Sequence, residues 1–313
     1  MTTEKILLFG TAILVFFLSG CKEDNSDELK AEEDRLLQNY LVENNITTEP
    51  EPSGLYYLEK ESGDGPKAEI NDWVILDYTA KLLKNEYVFG TTIEEIAKEE
   101  NIYQTGAVYR PTKWVVGYIT LSGNLLPGLN EGLTMMNEGD KSTVIIPSEI
   151  GLGGKSNNIV PPYSTLIFDL KVHEVIEDIV AYENNNFQNY LDTLMTTPEL
   201  YMDVDTTSTG VYFFQTEEGD TTITPEVNEF VRVFYTGYFF DGTVFDTNES
   251  QSFYRFQVGN GTVIPGWDDG IQLIEKGSKG ILVVPWDQAY GETGNATIPP
   301  YENLVFQIHL LSN

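Results

Sequence analysis

The stretch Gly261–Ile271 reads GTVIPGWDDGI, and Gly123–Leu133 reads GNLLPGLNEGL. Both run Gly, a polar residue, two apolar residues, Pro-Gly, an apolar residue, two polar residues, Gly and an apolar residue. Proline is tolerated in the first turn of a helix, so each phrase predicts a turn leading into a short helix. In the later copy Trp267, Ile271 and Ile274 fall on one helical face. The earlier copy has Leu129 where the later has Trp267.

The duplication extends in both directions. Leu37–Leu41 (LQNYL) recurs as Phe187–Leu191 (FQNYL), and Ser53–Tyr57 (SGLYY) as Thr209–Phe213 (TGVYF). VILDYTAKL from Val74 matches VRVFYTGYF from Val231, and IVPPYSTLIFDLKV from Ile159 matches TIPPYENLVFQIHL from Thr297. The chain is therefore two copies of one unit, each with a short helical lead-in. Tyr78 and Tyr235 lie 157 residues apart but Pro161 and Pro299 only 138, so the first copy is longer by 19 between these landmarks. Most of the excess falls between Phe89 and Gly117, a spacing of 28 against 14 for Phe245 to Gly259. The inserted text around TTIEEIAKEENIY sets Ile93, Ile96 and Ala97 among charges, the pattern of a short amphipathic helix or a flap.

FVRVFYTGYF and LVFQIHLL alternate and are rich in β-branched and aromatic residues, which predicts strands. Asp241-Gly242 between apolar runs is a hairpin signal. Several antiparallel strands around one short helix per copy give an α+β fold class, the sheet wrapped around the helix.

The 313 residues carry 18 basic and 49 acidic side chains, a formal net charge of −31. That field repels phosphate backbones and excludes nucleic acid as a partner; it reads as solubility rather than as an acidic binding site. Lys5 precedes an apolar run, Ile6–Leu18, too short to span a bilayer and typical of a signal-peptide core. It ends in Leu18-Ser-Gly-Cys21, which resembles the lipobox of bacterial lipoproteins, and Cys21 is the only cysteine. Cleavage before Cys21 and lipid on its sulfur would hold the protein on a membrane without crossing it. The expected location is the cell envelope, on the periplasmic or surface face of the outer membrane. The polar stretch after Cys21, up to Asp34, reads as a flexible charged tether. Its Lys22-Glu23-Asp24 resembles a surface-export signal of some gliding-bacterium lipoproteins; a solvated acidic linker explains it equally.

FYTGYFFDGTVFDT, FQVGNGTVIPGWDDGI, AYGETG and IPPYENLVFQIHLL occur in this order from Phe234 to Leu311. Together they resemble the FKBP-type peptidyl-prolyl isomerases over nearly a whole domain. The lipobox and paired layout are similar to the gliding-motility-associated isomerase lipoproteins. The resemblance divides the chain into a signal peptide (1–20), an acidic tether and short helix (21–49), a degenerate domain (50–176), a helical linker (177–207) and an isomerase domain (208–313). It implies no cofactor and no metal, with X-Pro segments of exported or envelope proteins as partners.

It also implies roles for residues of the second copy. Trp267 would form the floor under the proline ring, with Tyr235, Phe245 and Phe306 as walls. The Ile264 N–H and the Tyr290 hydroxyl would hydrogen-bond ligand carbonyls, and Asp246 would orient polar neighbours. Tyr254 (where the family usually has Phe), Phe256, Val263 and Ile298 would complete the substrate pocket. Phe256 and Val263 serve equally well as core residues. The Gly294–Pro299 loop is shorter than in the small cytosolic members. Trp286, after Pro285, reads as a rim or surface residue.

The first copy keeps Tyr78, Phe89 and Phe168 but has Gly90 for Asp246, Leu129 for Trp267 and Leu152 for Tyr290. Apolar fillings preserve a fold while removing a ring platform and a carbonyl donor, so this domain is expected to have little or no isomerase activity. His173 and His309 occupy equivalent terminal strands and read as strand residues. No Cys/His cluster has zinc spacing, and Asp203 and Asp205 lack the Gly and Glu of a calcium loop.

Overall fold

The computed structural model describes residues 25–117, 126–155, 159–197, 201–219 and 222–312. The signal segment, Cys21 and Leu125 of the opening repeat lie outside them. Among the described residues no helix is long and apolar enough to cross a membrane.

The first half runs α1 (Ser26–Glu43), β1 (Tyr56–Glu61), β2 (Trp73–Leu82), β3 (Val88–Thr91), α2 (Glu94–Glu99), β4 (Thr112–Val115), α3 (Pro127–Thr134), β5 (Lys141–Ile146) and β6 (Leu166–Ile176). The second runs α4 (Ile179–Met195), β7 (Asp203–Thr206), β8 (Tyr212–Glu217), β9 (Phe230–Phe239), β10 (Val244–Thr247), β11 (Tyr254–Gln257), α5 (Pro265–Gly270), β12 (Lys279–Val284) and β13 (Leu304–Leu310). The strands form two antiparallel sheets, β1-β5-β6-β2-β3 with β4 also on β2, and β10-β9-β13-β12-β8-β7 with β11 also on β9. The registers match: Tyr78 faces Leu170 and Ala80 faces Phe168, as Tyr235 faces Ile308 and Gly237 faces Phe306. The expected α+β class, two domains each with a helix against its sheet, is what the chain adopts.

One face of each sheet buries its short helix. Leu129 and Leu133 of α3 pack with Val74, Leu76, Val144, Leu166 and Phe168. Trp267 of α5 and the following Ile271 and Ile274 pack with Val211, Val233, Leu282, Leu304 and Phe306. Alternation along the strands supplies these apolar faces. The opposite faces carry the lead-in helices. Leu37 and Leu41 of α1 cover Ile145 and Ile167, whereas Leu191 and Leu194 of α4 cover Phe214 and Val283.

This docking revises two sequence expectations. The polar stretch read as a tether is helical from Ser26. Its Glu33 is buried and accepts hydrogen bonds from the Ser148 N–H at 2.7 Å, the Ser148 hydroxyl at 2.5 Å and the Thr165 hydroxyl at 2.7 Å. Those bonds fix a helix that composition alone leaves marginal. The range expected to be a helical linker does hold a helix, α4, capped by Asp178 accepting from the Ala181 N–H at 2.9 Å, but it also contains β7, which pairs with β8. Helix α1 is thus built into the first domain, and α4 and β7 into the second.

The longer segment between Phe89 and Gly117 forms the extra helix α2 and then β4, the counterpart of β11, and its end reaches the second domain. Val108 packs against the second core. Lys113 Nζ lies 2.6 Å from Glu183 Oε1 of α4 and 2.7 Å from Glu302 Oε2, all three side chains being only 6% exposed. Trp73 meets Tyr301 edge-on at 5.6 Å. Trp286, expected at a rim, belongs to the same junction. Its Nε1–H donates to Asn184 Oδ1 at 3.2 Å, and its ring lies 4.9 Å from that of Tyr301.

Candidate active site

The second domain has a cavity of about 330 Å³ lined by Tyr235, Phe245, Asp246, Tyr254, Thr262, Val263, Ile264, Trp267, Tyr290 and Phe306. Five elements and two loops supply the lining. Tyr235 comes from the middle of β9, Phe245 and Asp246 from β10 across the Asp241-Gly242 turn, and Tyr254 from the start of β11. Ile264 and Trp267 flank the first turn of α5, and Phe306 comes from β13.

Trp267 is the hub. It is 3% exposed, and Tyr235 and Phe306 stand edge-on to it with centroids at 5.0 and 5.1 Å. Phe245 is edge-on to Phe306 at 5.6 Å. Edge-to-face packing places positive ring edges against negative ring faces, which holds each wall at a defined angle. The buried Trp267 Nε1–H has no acceptor within the protein among the described residues.

The polar groups are few. Ile264 has extended backbone angles, and its carbonyl turns into α5 to accept from the Trp267 N–H at 2.9 Å and the Asp268 N–H at 3.3 Å. The Ile264 N–H itself has no acceptor among the described residues, and it is a donor at the edge of the cavity. The Tyr235 hydroxyl donates to Asp246 Oδ2 at 2.5 Å. Burial first, and then this carboxylate, push the Tyr235 phenol far above its ordinary range. Burial also raises Tyr290, with Asp246 adding to it. Tyr290 is 38% exposed and Tyr254 40%, so both stand at the mouth.

Of the eleven residues expected in the pocket, nine line it. Phe256 and Ile298 do not: they are 4% and 2% exposed and belong to the core beneath. Phe256 lies on the same face of β11 as Tyr254, stacked against it at 5.8 Å, but two residues further along the strand, where the core covers it. Sequence reasoning missed Thr262, Asp268 and Gly237. Asp268 accepts from the Gly259 N–H at 2.8 Å and the Gly261 N–H at 2.9 Å, tying the loop before Ile264 to α5. Its counterpart Asn130 likewise holds the Gly117 N–H, at 3.3 Å, so the repeat itself carried that signal. At Gly237 an added Cβ would lie 2.5 Å from Phe245 Cζ and 3.1 Å from Phe306 Cε1. The first domain has Ala80 there.

In the first domain the aromatic walls persist, with Tyr78 at 6.2 Å and Phe89 at 6.4 Å from Phe168. Its floor is Leu129, 4% exposed in the core, and Leu152 packs against the same cluster. Gly90 pairs with Ala80 as Asp246 pairs with Gly237, so the phenol of Tyr78 meets no carboxylate there. A larger cavity of this domain, about 540 Å³, lies beside α2; it includes Tyr78 but not Phe89, Leu129 or Phe168, and lysines and carboxylates, among them Lys81 and Asp169, line it together.

The second cavity is an aromatic bowl with a free backbone donor, hydroxyls at its mouth and a carboxylate already engaged by Tyr235. Such a cavity can take an apolar ring out of water, and its Ile264 N–H and mouth hydroxyls can donate to carbonyls beside that ring.

Residues 65–173 and 221–311 each match the sequence profile described as FKBP-type peptidyl-prolyl cis-trans isomerase. A relative from Escherichia coli (strain K12), the FKBP-type 22 kDa peptidyl-prolyl cis-trans isomerase, is 42% identical over 109 residues, 34% of this chain and 52% of its own. Mouse peptidyl-prolyl cis-trans isomerase FKBP10 is 28% identical over 242 residues, 75% of this chain and 36% of its own. The chain thus spans between a third and about half of the length of these relatives. Among solved structures, FkpA from Escherichia coli is similar, with a TM-score of 0.37 and 33% identity over 42% of this chain and 59% of that one. With both repeats matched, the chain belongs to the FKBP-type peptidyl-prolyl cis-trans isomerase family.

Proposed function

We propose that the chain is a peptidyl-prolyl cis-trans isomerase with its activity in the second domain, and that the first domain is inactive. An X-Pro bond interconverts over tens to hundreds of seconds because twisting breaks amide resonance. Water bound to the carbonyl favours the planar, charge-separated amide. A bowl of Trp267, Tyr235, Phe245 and Phe306 removes that water and favours the twisted form, while the Ile264 N–H and Tyr290 hold the neighbouring carbonyls. Each 1.36 kcal/mol removed from the barrier is worth about tenfold in rate. The observation that carries the reading is the free Ile264 donor beside the Trp267 floor.

The lipobox supports an anchor through Cys21, which would place the enzyme in the cell envelope, acting on X-Pro segments of exported proteins. A second reading is favoured by the filled first pocket: a non-catalytic module that holds proline segments in an envelope or gliding assembly. An isomerisation assay on a proline peptide, with the chain from Lys22 onward, separates the two. The enzyme reading requires a wild-type rate well above that of the Asp246→Ala, Tyr290→Ala double variant; equal rates leave only the binding module. Labelling with radioactive palmitate, lost in Cys21→Ser, tests the anchor.

A further inference from the structure

Arg110, from the insertion of the first domain, is seated entirely on the second. Its Nε lies 2.8 Å from Asp241 Oδ2 and its Nη1 2.7 Å from Glu302 Oε1, and its Cζ stands 4.3 Å from the centre of the Phe239 ring. The Asp241 contact is a charge contact rather than an aligned hydrogen bond. These three partners belong to the two segments that carry cavity walls. Asp241 opens the β9–β10 turn, and Phe245 follows four residues later. Glu302 precedes β13, and Phe306 follows four residues later. Phe239 is fully buried and packs 5.1 Å from Phe245. Lys113 holds the other oxygen of Glu302, so that side chain is fixed from both sides.

The arrangement runs one way. The positions of the first domain equivalent to Asp241 and Glu302 are Lys84 and Ser164, which offer a guanidinium nothing anionic. The two carboxylates exist only in the copy that keeps the indole, and the arginine that joins them exists only in the other. A planar guanidinium presents its N–H groups in a rigid fork, so it fixes the spacing of two carboxylates from separate segments more tightly than a rotatable ammonium does.

We propose that Arg110 is a positioning residue for the second domain's cavity, and that the first domain braces in cis the hairpin bearing Phe245 and Asp246 against the segment bearing Phe306. The inference rests on that cavity being the site of prolyl isomerisation. The test uses the whole chain from Lys22 with Arg110→Gln and Arg110→Lys, reading kcat/KM on a proline peptide, the NMR shifts of Phe245, Asp246 and Phe306, and thermal unfolding. Arg110→Gln is expected to stay folded, to shift those resonances and to lower kcat/KM about three- to tenfold, with Arg110→Lys falling between it and the wild type. Unchanged kcat/KM together with unchanged shifts overturns the proposal. A loss that merely follows the unfolded fraction also overturns it. Should Arg110→Gln fail to fold, Asp241→Asn removes the same contact from the other side and must produce the same shifts. An inactive wild type would sink the isomerase reading alone, because the resonance shifts still decide whether the brace acts.

Discussion

The Tyr235 hydroxyl donates to Asp246 Oδ2 at 2.5 Å, whereas the ring of Tyr78, the equivalent residue, lies beside Gly90. This pair distinguishes the two domains by chemistry as well as by shape. Burial and the carboxylate raise Tyr235 above the usual 10.0, so the folded state keeps a proton that the unfolded chain releases. The associated stability is complete below pH 10 and is lost as the pH climbs from there toward the folded value. Asp246→Asn removes the anion but not the burial, so Tyr235 should ionise at lower pH. A difference titration of tyrosinate absorbance against wild type reads this, and superimposable curves refute it. The same variant should lose about tenfold or more in isomerisation, the effect of about 1.5 kcal/mol for a hydrogen bond to a charged group.

Trp267→Leu gives the second domain the floor of the first. The indole packs with Tyr235, Phe256 and Phe306, so truncation leaves a partly collapsed void at a cost of roughly 1–3 kcal/mol. Chemical denaturation should register that loss, and isomerisation should drop further than the unfolded fraction explains. The reverse change, Leu129→Trp, should not create activity. Leu129 is buried beside Ile146 and Leu133, so an indole there overpacks by about 1–3 kcal/mol, and Gly90 and Leu152 still lack the partners. A first-domain activity gained from that single change would show that the floor alone decides function.

Gly237→Ala tests a position where two domains of one fold differ by one methyl group. The new Cβ would sit inside the contact distance of Phe245 and close to Phe306, so the Phe245 ring must swing and the wall it forms must move. The cost is that of a small overpacking, about 1–3 kcal/mol, and the larger effect should fall on KM for the proline peptide. Wild-type KM and kcat in this variant would mean that the ring has room the packing does not show.

The fold was legible because repetition and strand alternation are local properties: PPY phrases and Pro-Gly helix starts recur at matching places, and Asp241-Gly242 marks the hairpin of the second copy. Most of the cavity was legible for the same reason, since its residues sit within linked phrases. What was not legible depends on contacts distant in sequence. Glu33 reads as one more solvated acid until Ser148 and Thr165 close on it. Ile298 reads as a pocket residue and Phe256 as pocket or core alike, yet both belong to the core, Phe256 two residues further along β11 than the exposed Tyr254. Nothing near Arg110 or Lys113 announces carboxylates supplied by Asp241, Glu183 and Glu302. The tether failed as an expectation because α1 draws its order from the sheet it covers, not from its own composition.

Lys113→Met should expose how the junction is held. The Lys113 ammonium is buried between Glu183 and Glu302 and also donates to the Tyr301 carbonyl at 3.0 Å. Glu183 already has a raised pKa, chiefly from burial, with Lys113 opposing the rise and Glu302 adding to it. Removing the cation leaves two buried carboxylates facing each other, a change that typically costs about 3–5 kcal/mol. The pH dependence has a definite sign. A carboxyl with a raised folded pKa holds its proton more tightly in the folded state, so its favourable contribution is present in acid and is lost as the pH rises through that value. Without Lys113 the Glu183 pKa rises further, so the variant should be most destabilised near neutrality and recover toward wild type as the pH falls toward the usual carboxylate range. Thermal unfolding of both chains across that range measures the gap. A gap that is constant with pH would show that methionine disturbs the junction by shape alone, and that the charge of Lys113 does not hold Glu183 and Glu302 together.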